Sequence, residues 1–124
     1  MFAVLDCGTT TTRVYIVDEN RSILASGREK VGVRDTAITG SRDTLRSGIT
    51  KLFRETLSTL GLEETDISYV IASGMITSEL GLMEIPHLIA PAGLHELAES
   101  IYEAKSGGVL PIACPVYFIR GIRN

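Results

Sequence analysis

Apolar and polar residues alternate in short blocks along the first quarter of the chain, and these blocks predict a β meander. One apolar run covers residues 2–6 and a second covers 13–18, with a polar turn between them, and a third run covers 22–28. Short runs rich in β-branched residues and bounded by turn residues are typical of strands. We therefore expect three consecutive strands, the first two joined as a hairpin.

Two later stretches show helical periodicity. Apolar residues recur every three or four positions after Ser41, which can serve as an N-cap, and Gly61 lies where a helix-ending glycine is expected. The residues of this apolar face are Leu45, Ile49, Leu52, Phe53, Leu57 and Leu60. A shorter pattern predicts a second amphipathic helix through Leu94, Leu97, Ala98, Ile101 and Tyr102.

The remaining segments are interpreted as strands and loops. Apolar runs predict strands at 67–73 and 115–119, and residues 75–82 are expected to form a short helix. The stretch 31–40 has no steady period and several Gly, Asp and Thr residues, so it is interpreted as a loop. Periodicity alone therefore predicts an α/β domain.

Composition and charge narrow the functional classes. A chain of 124 residues with 44% hydrophobic residues is long enough for one domain with a core and too short for two. The net charge of −3 and the scattered basic residues do not favour a nucleic-acid surface. Neither a membrane helix nor a signal peptide is evident. We expect a cytoplasmic protein that binds neither nucleic acid nor membranes, and homo-oligomerisation stays open.

The cysteines and histidines are expected to be structural. Cys7 and Cys114 lie far apart in apolar surroundings, which favours buried, reduced thiols; a reactive Cys7 beside the first turn is the alternative. His87 and His95 have no neighbours in a pattern typical of a catalytic triad or a metal site.

The first turn carries candidate phosphate-binding chemistry. Asp6 ends the first apolar run, Gly8 follows it, and four consecutive threonines occupy 9–12. Backbone N–H groups and threonine hydroxyls can donate to phosphate oxygens where a glycine leaves room, and a carboxylate can hold hydrated Mg²⁺. The alternative is that Asp6 satisfies turn donors and that the threonines simply favour strands.

Three segments carry a resemblance to a known family. They are Asp6-Cys-Gly-Thr-Thr-Thr-Thr-Arg13, Ala72-Ser-Gly-Met-Ile-Thr-Ser78 with Leu82 to Pro86 after it, and Val116-Tyr-Phe-Ile-Arg-Gly-Ile-Arg123. Together they resemble the 2-dehydro-3-deoxygalactonokinase family of the sugar kinase, Hsp70 and actin superfamily, along essentially the whole chain. Cys7, Thr11 and Arg120 depart from it, because the family typically has tryptophan, asparagine and proline there.

The resemblance implies an α/β fold, a ribonuclease H-like (actin-like ATPase) lobe whose mixed sheet has the order β-β-β-α-β-α-β. It also implies ATP-dependent phosphorylation of 2-dehydro-3-deoxygalactonate to its 6-phosphate, with ATP and Mg²⁺ as cofactors and a small sugar acid as the substrate. Residues 1–124 would then form a single N-terminal lobe of a two-lobe kinase, inactive without the second lobe. The alternatives are a non-catalytic lobe that binds a sugar acid and a lobe that mediates protein assembly.

The same resemblance implies roles for individual residues. Asp6 is the candidate catalytic and metal-binding residue. The nucleotide phosphates would lie against Gly8, Thr9, Thr10 and Thr11. The substrate-side candidates are Arg13, Gly74, Met75 and Ser78. For this last group, surface pairing of the arginine, a turn role for the glycine and a core role for the methionine stay open.

Overall fold

Three strands open the chain as a continuous meander in the computed structural model, which describes residues 1–86, 88–89, 93–94, 98, 100–120 and 122–123. They are β1 (Phe2–Cys7), β2 (Thr12–Val17) and β3 (Ile23–Glu29). β1 pairs antiparallel with β2, and β2 pairs antiparallel with β3. The prediction of a meander is confirmed.

Beyond β1 the sheet becomes parallel. β4 (Val70–Gly74) runs parallel to β1, and β7 (Val116–Phe118) runs parallel to β4, while β6 (Tyr102–Ala104) closes that edge antiparallel to β7. The order across this mixed six-stranded sheet is β3-β2-β1-β4-β7-β6. A separate parallel pair joins β5 (Leu88–Ile89) to β8 (Ile122–Arg123). β1 is thus a central strand, and its C-terminal end lies beside that of β4.

Two helices connect β3 to β4. They are α1 (Val33–Thr39) and α2 (Asp43–Ser58), and single 3-10 turns occur at Glu64–Asp66 and Met75–Thr77. The prediction that 31–40 is a loop is wrong, because α1 lies within it. A helix of 7 residues makes only about two turns, too few for an apolar period to be recognised.

The long amphipathic helix predicted after Ser41 is confirmed by α2. Its N-cap is Arg42 rather than Ser41, although the Ser41 hydroxyl oxygen accepts a hydrogen bond of 3.1 Å from the Asp43 N–H. Leu60, predicted on the apolar face, lies past the last turn and is exposed. Gly61 has φ of +66°, the left-handed conformation that commonly ends a helix.

The predicted second helix is seen only in part. Leu94 and Ala98 are helical, Leu97 lies outside the described residues, and Ile101 precedes a strand. Tyr102 belongs to that strand, β6, where it pairs with Phe118, so its helical assignment is corrected. The helix predicted at 75–82 is reduced to a 3-10 turn.

The element order therefore departs from β-β-β-α-β-α-β. Along the chain, two helices rather than one separate β3 from β4, and the strand β6 comes after β4 and before β7. The predicted structural roles of His87 and His95 fall outside the described residues. Within the described part of the chain, no helix combines the length and the apolar character needed to span a bilayer.

The two faces of the sheet are covered differently. Alternate residues of β1 and β2 point toward α2 and are buried: Ala3, Leu5, Cys7, Val14 and Ile16. The other face is half-buried and carries an aromatic row, in which the Phe2 and Tyr69 rings stack 5.3 Å apart and the edge of Tyr69 meets Tyr117 at 5.8 Å. Polar side chains on this second face are consequently accessible to solvent and ligands.

A buried threonine ties the hairpin to the start of α1. Thr12 has no exposed surface, and its hydroxyl donates a hydrogen bond of 2.7 Å to the Val31 carbonyl oxygen. Thr36, in α1, is also buried, but its hydroxyl has no hydrogen-bond partner among the residues that the structure describes. The two residues provide a matched comparison of a satisfied and an unsatisfied buried hydroxyl.

We expect Thr12→Val to lower the free energy of unfolding by about 1–3 kcal/mol, because it leaves the Val31 carbonyl buried without a donor. Thr36→Val keeps the shape of a side chain that makes no such bond, so it should be neutral or stabilising. Urea unfolding at a constant m value measures both changes. Equal losses in the two variants would contradict the proposed role of the Thr12 hydrogen bond.

Both cysteines are buried and free of disulfides. Burial raises the pKa of the Cys7 thiol, an effect that a hydrogen bond with Thr12 opposes and the nearby Asp6 charge reinforces. Burial and the Glu64 charge raise the pKa of Cys114 to about 11. Because the thiolate is the reactive form, raised pKa values disfavour a reactive thiol at either position.

The Cys114 shift predicts a pH-dependent loss of stability. The thiol stays protonated in the folded chain up to pH about 11, whereas it ionises near pH 9.0 when unfolded. Its contribution is therefore fully present below pH 9 and is lost as the pH rises through this window. Chemical unfolding at intervals from pH 8 to 11 should show a steeper decline for the native chain than for Cys114→Ala, and parallel declines would contradict the assignment.

Candidate phosphate-binding site

The turn between β1 and β2 is closed by one backbone hydrogen bond. The Gly8 N–H donates to the Thr11 carbonyl oxygen at 2.9 Å. A Cβ at position 8 would lie 2.8 Å from that same oxygen, so the turn itself requires a small residue there. Thr9 and Thr10 form the exposed tip, and Thr11 is half-buried.

The first turn of α1 docks onto this hairpin turn. The Val33 N–H donates to the Gly8 carbonyl at 3.2 Å, and the Arg34 N–H donates to the Thr9 carbonyl at 2.9 Å. Gly32 makes the approach possible, because a Cβ there would lie 2.3 Å from the Thr9 carbonyl oxygen and 2.5 Å from that of Gly8. The hairpin turn is therefore held in place by the backbone of α1.

This docking uses the carbonyl oxygens of the turn and leaves several of its hydrogen-bond donors unpaired. The carbonyl oxygens of Gly8, Thr9 and Thr11 are all engaged by backbone N–H groups. Among the described residues, nothing pairs with the N–H groups of Thr9 and Thr10 or with the hydroxyls of 9–11. Clustered N–H and hydroxyl donors whose neighbouring acceptors are already used form a concavity suited to an anion.

The parallel pairing of β1 and β4 brings Asp6 and Gly74 together. Asp6 lies opposite Ser73, and Cys7 lies opposite Gly74. Gly74 has φ of +87°, and a Cβ there would be 2.4 Å from the Cys7 carbonyl oxygen and 3.0 Å from Asp6 Oδ1. Only glycine satisfies both the backbone conformation and the space beside the carboxylate.

The Asp6 carboxylate is placed to hold a hydrated cation. It is exposed at the end of β1, and none of the ion pairs in the described part of the chain includes it. No group of three metal-binding side chains occurs among the described residues. A single carboxylate fits Mg²⁺, which usually keeps several waters and takes further oxygens from substrate phosphates.

The segment after Gly74 supplies the remaining candidates from the sequence. Met75 is 42% exposed, so it is not a core residue, and the Ser78 hydroxyl donates to the Met75 carbonyl at 2.7 Å. The segment is fixed from outside by Arg42, whose guanidinium donates to the Gly81 carbonyl at 2.7 Å and to that of Glu79. Met75 and Ser78 thus lie on a loop that begins at Gly74, beside Asp6, and is held by the Arg42 hydrogen bonds.

Arg13 lies directly across the β1–β2 pair from Asp6, and it is exposed. The sequence did not single out the cations that line a cavity with it, namely Arg28 and Lys30. The alternation of Arg28 and Lys30 at the end of β3 was the available signal. It could be used only once the register placed Arg28 opposite Arg13.

Comparison with solved structures places this arrangement in a fold class. A protein from Sinorhizobium meliloti, provisionally assigned as a 2-dehydro-3-deoxygalactonokinase, superposes with a TM-score of 0.72 at 20% identity, over 98% of this chain and 35% of that one. A reductive activator for a corrinoid, iron-sulfur protein superposes with a TM-score of 0.59 at 19% identity, over 96% of this chain and 22% of that one. The chain thus has an α/β fold of the actin-like ATPase type.

The family model of 2-keto-3-deoxy-galactonokinase matches residues 6–123. The chain belongs to this family, and the resemblance found in the sequence is confirmed. No curated protein matches the chain. The chain spans 35% of the length of the Sinorhizobium meliloti protein.

The docking of α1 can be tested with two glycine substitutions. Gly32→Ala forces a methyl group against two backbone carbonyls. We therefore expect the free energy of unfolding to fall by about 3 kcal/mol, at the upper end of the cost of overpacking. Gly40→Ala, at φ +72° with open space around it, should cost about 1 kcal/mol through backbone strain alone.

Thermal or urea unfolding measures the stability of both variants, and titration with inorganic phosphate reports the state of the turn. We expect weaker phosphate binding for Gly32→Ala only. Unchanged phosphate binding in a folded Gly32→Ala variant would show that the anion site does not depend on α1.

Proposed function

We propose that this chain is the N-terminal lobe of an ATP-dependent kinase that phosphorylates 2-dehydro-3-deoxygalactonate on its 6-hydroxyl. The observation that carries the proposal is the set of exposed, unpaired donors in the β1–β2 turn, close in the chain to the Asp6 carboxylate. Membership of the 2-keto-3-deoxy-galactonokinase family supports the substrate class. Phosphoryl transfer depends mainly on positioning and charge stabilisation, and this site offers both.

In this proposal the turn holds the phosphates of ATP. The N–H groups and hydroxyls of Thr9 and Thr10, with the Thr11 hydroxyl, donate to phosphate oxygens, while Gly8 keeps the turn tight. Because α1 fixes the turn carbonyls, these donors need little reorganisation when charge develops during transfer. Thr12 has a different role, since its hydroxyl is already used by Val31.

Asp6 would hold Mg²⁺ through its carboxylate and bound water. The metal, when present, neutralises the charge on the transferred phosphoryl group. Asp6 is exposed and forms no ion pair with any of the described residues, so its oxygens are available for this role. Gly74 keeps the adjoining space clear.

The substrate side would be formed by Gly74, Met75, Ser78 and Arg13. The N–H groups after Gly74 would donate to the keto oxygen of the sugar acid. The Ser78 hydroxyl, whose proton is given to the Met75 carbonyl, would accept a hydrogen bond from a sugar hydroxyl through its oxygen. Met75 is exposed beside them and offers an apolar contact. Arg13 adds a positive charge for the acid group.

We further propose that a second lobe completes the cytoplasmic enzyme. The length of the Sinorhizobium meliloti protein leaves room for one, since this chain covers 35% of it. Such a lobe would supply the adenine pocket and the general base, and closure of the two lobes would exclude water. The isolated lobe should therefore bind nucleotide weakly and turn over little.

The Asp6 role predicts that Asp6→Asn lowers Mg²⁺-dependent turnover of the full-length protein by roughly a hundredfold or more. The amide keeps the size of the carboxylate but loses the charge that attracts the metal. The assay is ADP release with ATP, Mg²⁺ and 2-dehydro-3-deoxygalactonate.

Glu19→Gln is the matched control, because Glu19 is exposed in the β2–β3 turn at the other end of the hairpin. It removes the same charge without touching the site, so its turnover should stay at the native value. An active Asp6→Asn enzyme with unaltered Mg²⁺ dependence would rule out the metal role.

A further inference from the structure

A groove of about 410 Å³ lies beside the phosphate-binding turn, on the sheet face that α2 leaves open. Its lining residues are Thr11, Arg13, Arg28, Glu29 and Lys30. Three of them are cations and one is an anion. We call this the basic groove.

The two arginines of the basic groove face each other across neighbouring strands. The β2–β3 register places Arg13 directly opposite Arg28, and both are exposed. Like charges in this arrangement destabilise a sheet. In the described part of the chain, neither arginine has an ion pair or a side-chain hydrogen bond. Asp6, opposite Arg13 on β1, offsets the repulsion on that side only, because Arg28 lies on the edge strand β3.

The third cation, Lys30, adds positive charge to the basic groove. Lys30 follows Arg28 by two residues and lines the groove with it, whereas Glu29 is opposite Thr12, whose side chain points into the core. The register therefore places the Glu29 Cβ on the opposite face of β3 from the Cβ of Arg28, although Glu29 still lines the groove at this sheet edge. An anion in the groove would relieve the repulsion between Arg13 and Arg28.

The neighbouring strand defines where that anion can lie. Asp6, Arg13 and Arg28 form one row across β1, β2 and β3, negative at one end and positive at the other. With about 4.8 Å between strands, Asp6 and Arg28 are held on strands roughly 10 Å apart. A six-carbon acid carries its carboxylate and its terminal hydroxyl at opposite ends, as this row requires.

We propose that Arg13 and Arg28, with Lys30 at the rim, bind the carboxylate of the sugar acid and so select acids over neutral sugars. This rests on the proposed kinase function, which places the reacting 6-hydroxyl at the Asp6 end of the row. The guanidinium fork matches a carboxylate with two parallel hydrogen bonds. Arg28, on β3, and Lys30, directly after β3, become specificity-determining residues.

The test is calorimetric titration of the full-length protein with three ligands. They are 2-dehydro-3-deoxygalactonate, its neutral counterpart with a primary alcohol in place of the carboxylate, and inorganic phosphate. For Arg28→Gln we expect roughly tenfold to hundredfold weaker binding of the acid, the value of a charge-assisted pair, and unchanged binding of the neutral sugar. Arg21→Gln, which removes an exposed arginine at the far end of the same hairpin, should bind all three as the native protein does.

The outcomes separate this proposal from the kinase function. Equal binding of acid and neutral sugar by the native protein, or unaltered acid binding by Arg28→Gln, overturns the carboxylate role even if phosphorylation proceeds. If Arg28→Gln loses only the binding of inorganic phosphate, the basic groove binds a phosphate group, and the carboxylate role is overturned as well. Selective loss of acid binding supports it, even in a protein without phosphoryl transfer activity.

Discussion

The parallel pairing of β1 with β4 is the constraint on which the rest of the site depends. β1 is antiparallel to β2 on one side and parallel to β4 on the other, so one strand end adjoins both the hairpin turn and the segment that follows Gly74. Asp6 takes its position from its strand pairings, with Ser73 on one side and Arg13 on the other, since it has no ion pair among the described residues. The positive φ of Gly74 then turns the chain away and leaves the carboxylate accessible.

Charge is distributed unevenly around that strand end. Asp6 lies on β1, and the basic residues Arg13, Arg28 and Lys30 follow on and after β2 and β3, where they outnumber the one acidic residue, Glu29, that lines the same groove. The overall charge of −3 conceals this gradient, because most acidic residues lie elsewhere on the surface. A small ligand with a phosphoryl acceptor at one end and an acid at the other would be oriented by the gradient before any close contact forms.

Most of the elements that depend on the local pattern of apolar and polar residues could be predicted from the sequence. The strand meander and the apolar face of α2 were evident because apolar residues recur there at strand or helix spacing over a sufficient length, and the Asp6, Gly8 and threonine series marked the hairpin turn. α1 was missed because 7 residues are too few to show a period. The partnership of Arg13 with Arg28 and the close approach of Gly32 to the turn could not be predicted, because both are consequences of register and tertiary packing.

The contact of Gly32 with the hairpin turn also determines where this chain can accept insertions. β3 has a short connection at each end. The 18–22 turn is closed only by its own hydrogen bonds and projects into solvent, so added residues there would displace nothing else. The 30–32 link is about as short, but one extra residue would move Gly32 off the Gly8 and Thr9 carbonyls and shift α1 out of alignment. Length variation among relatives should therefore collect at the first connection and avoid the second.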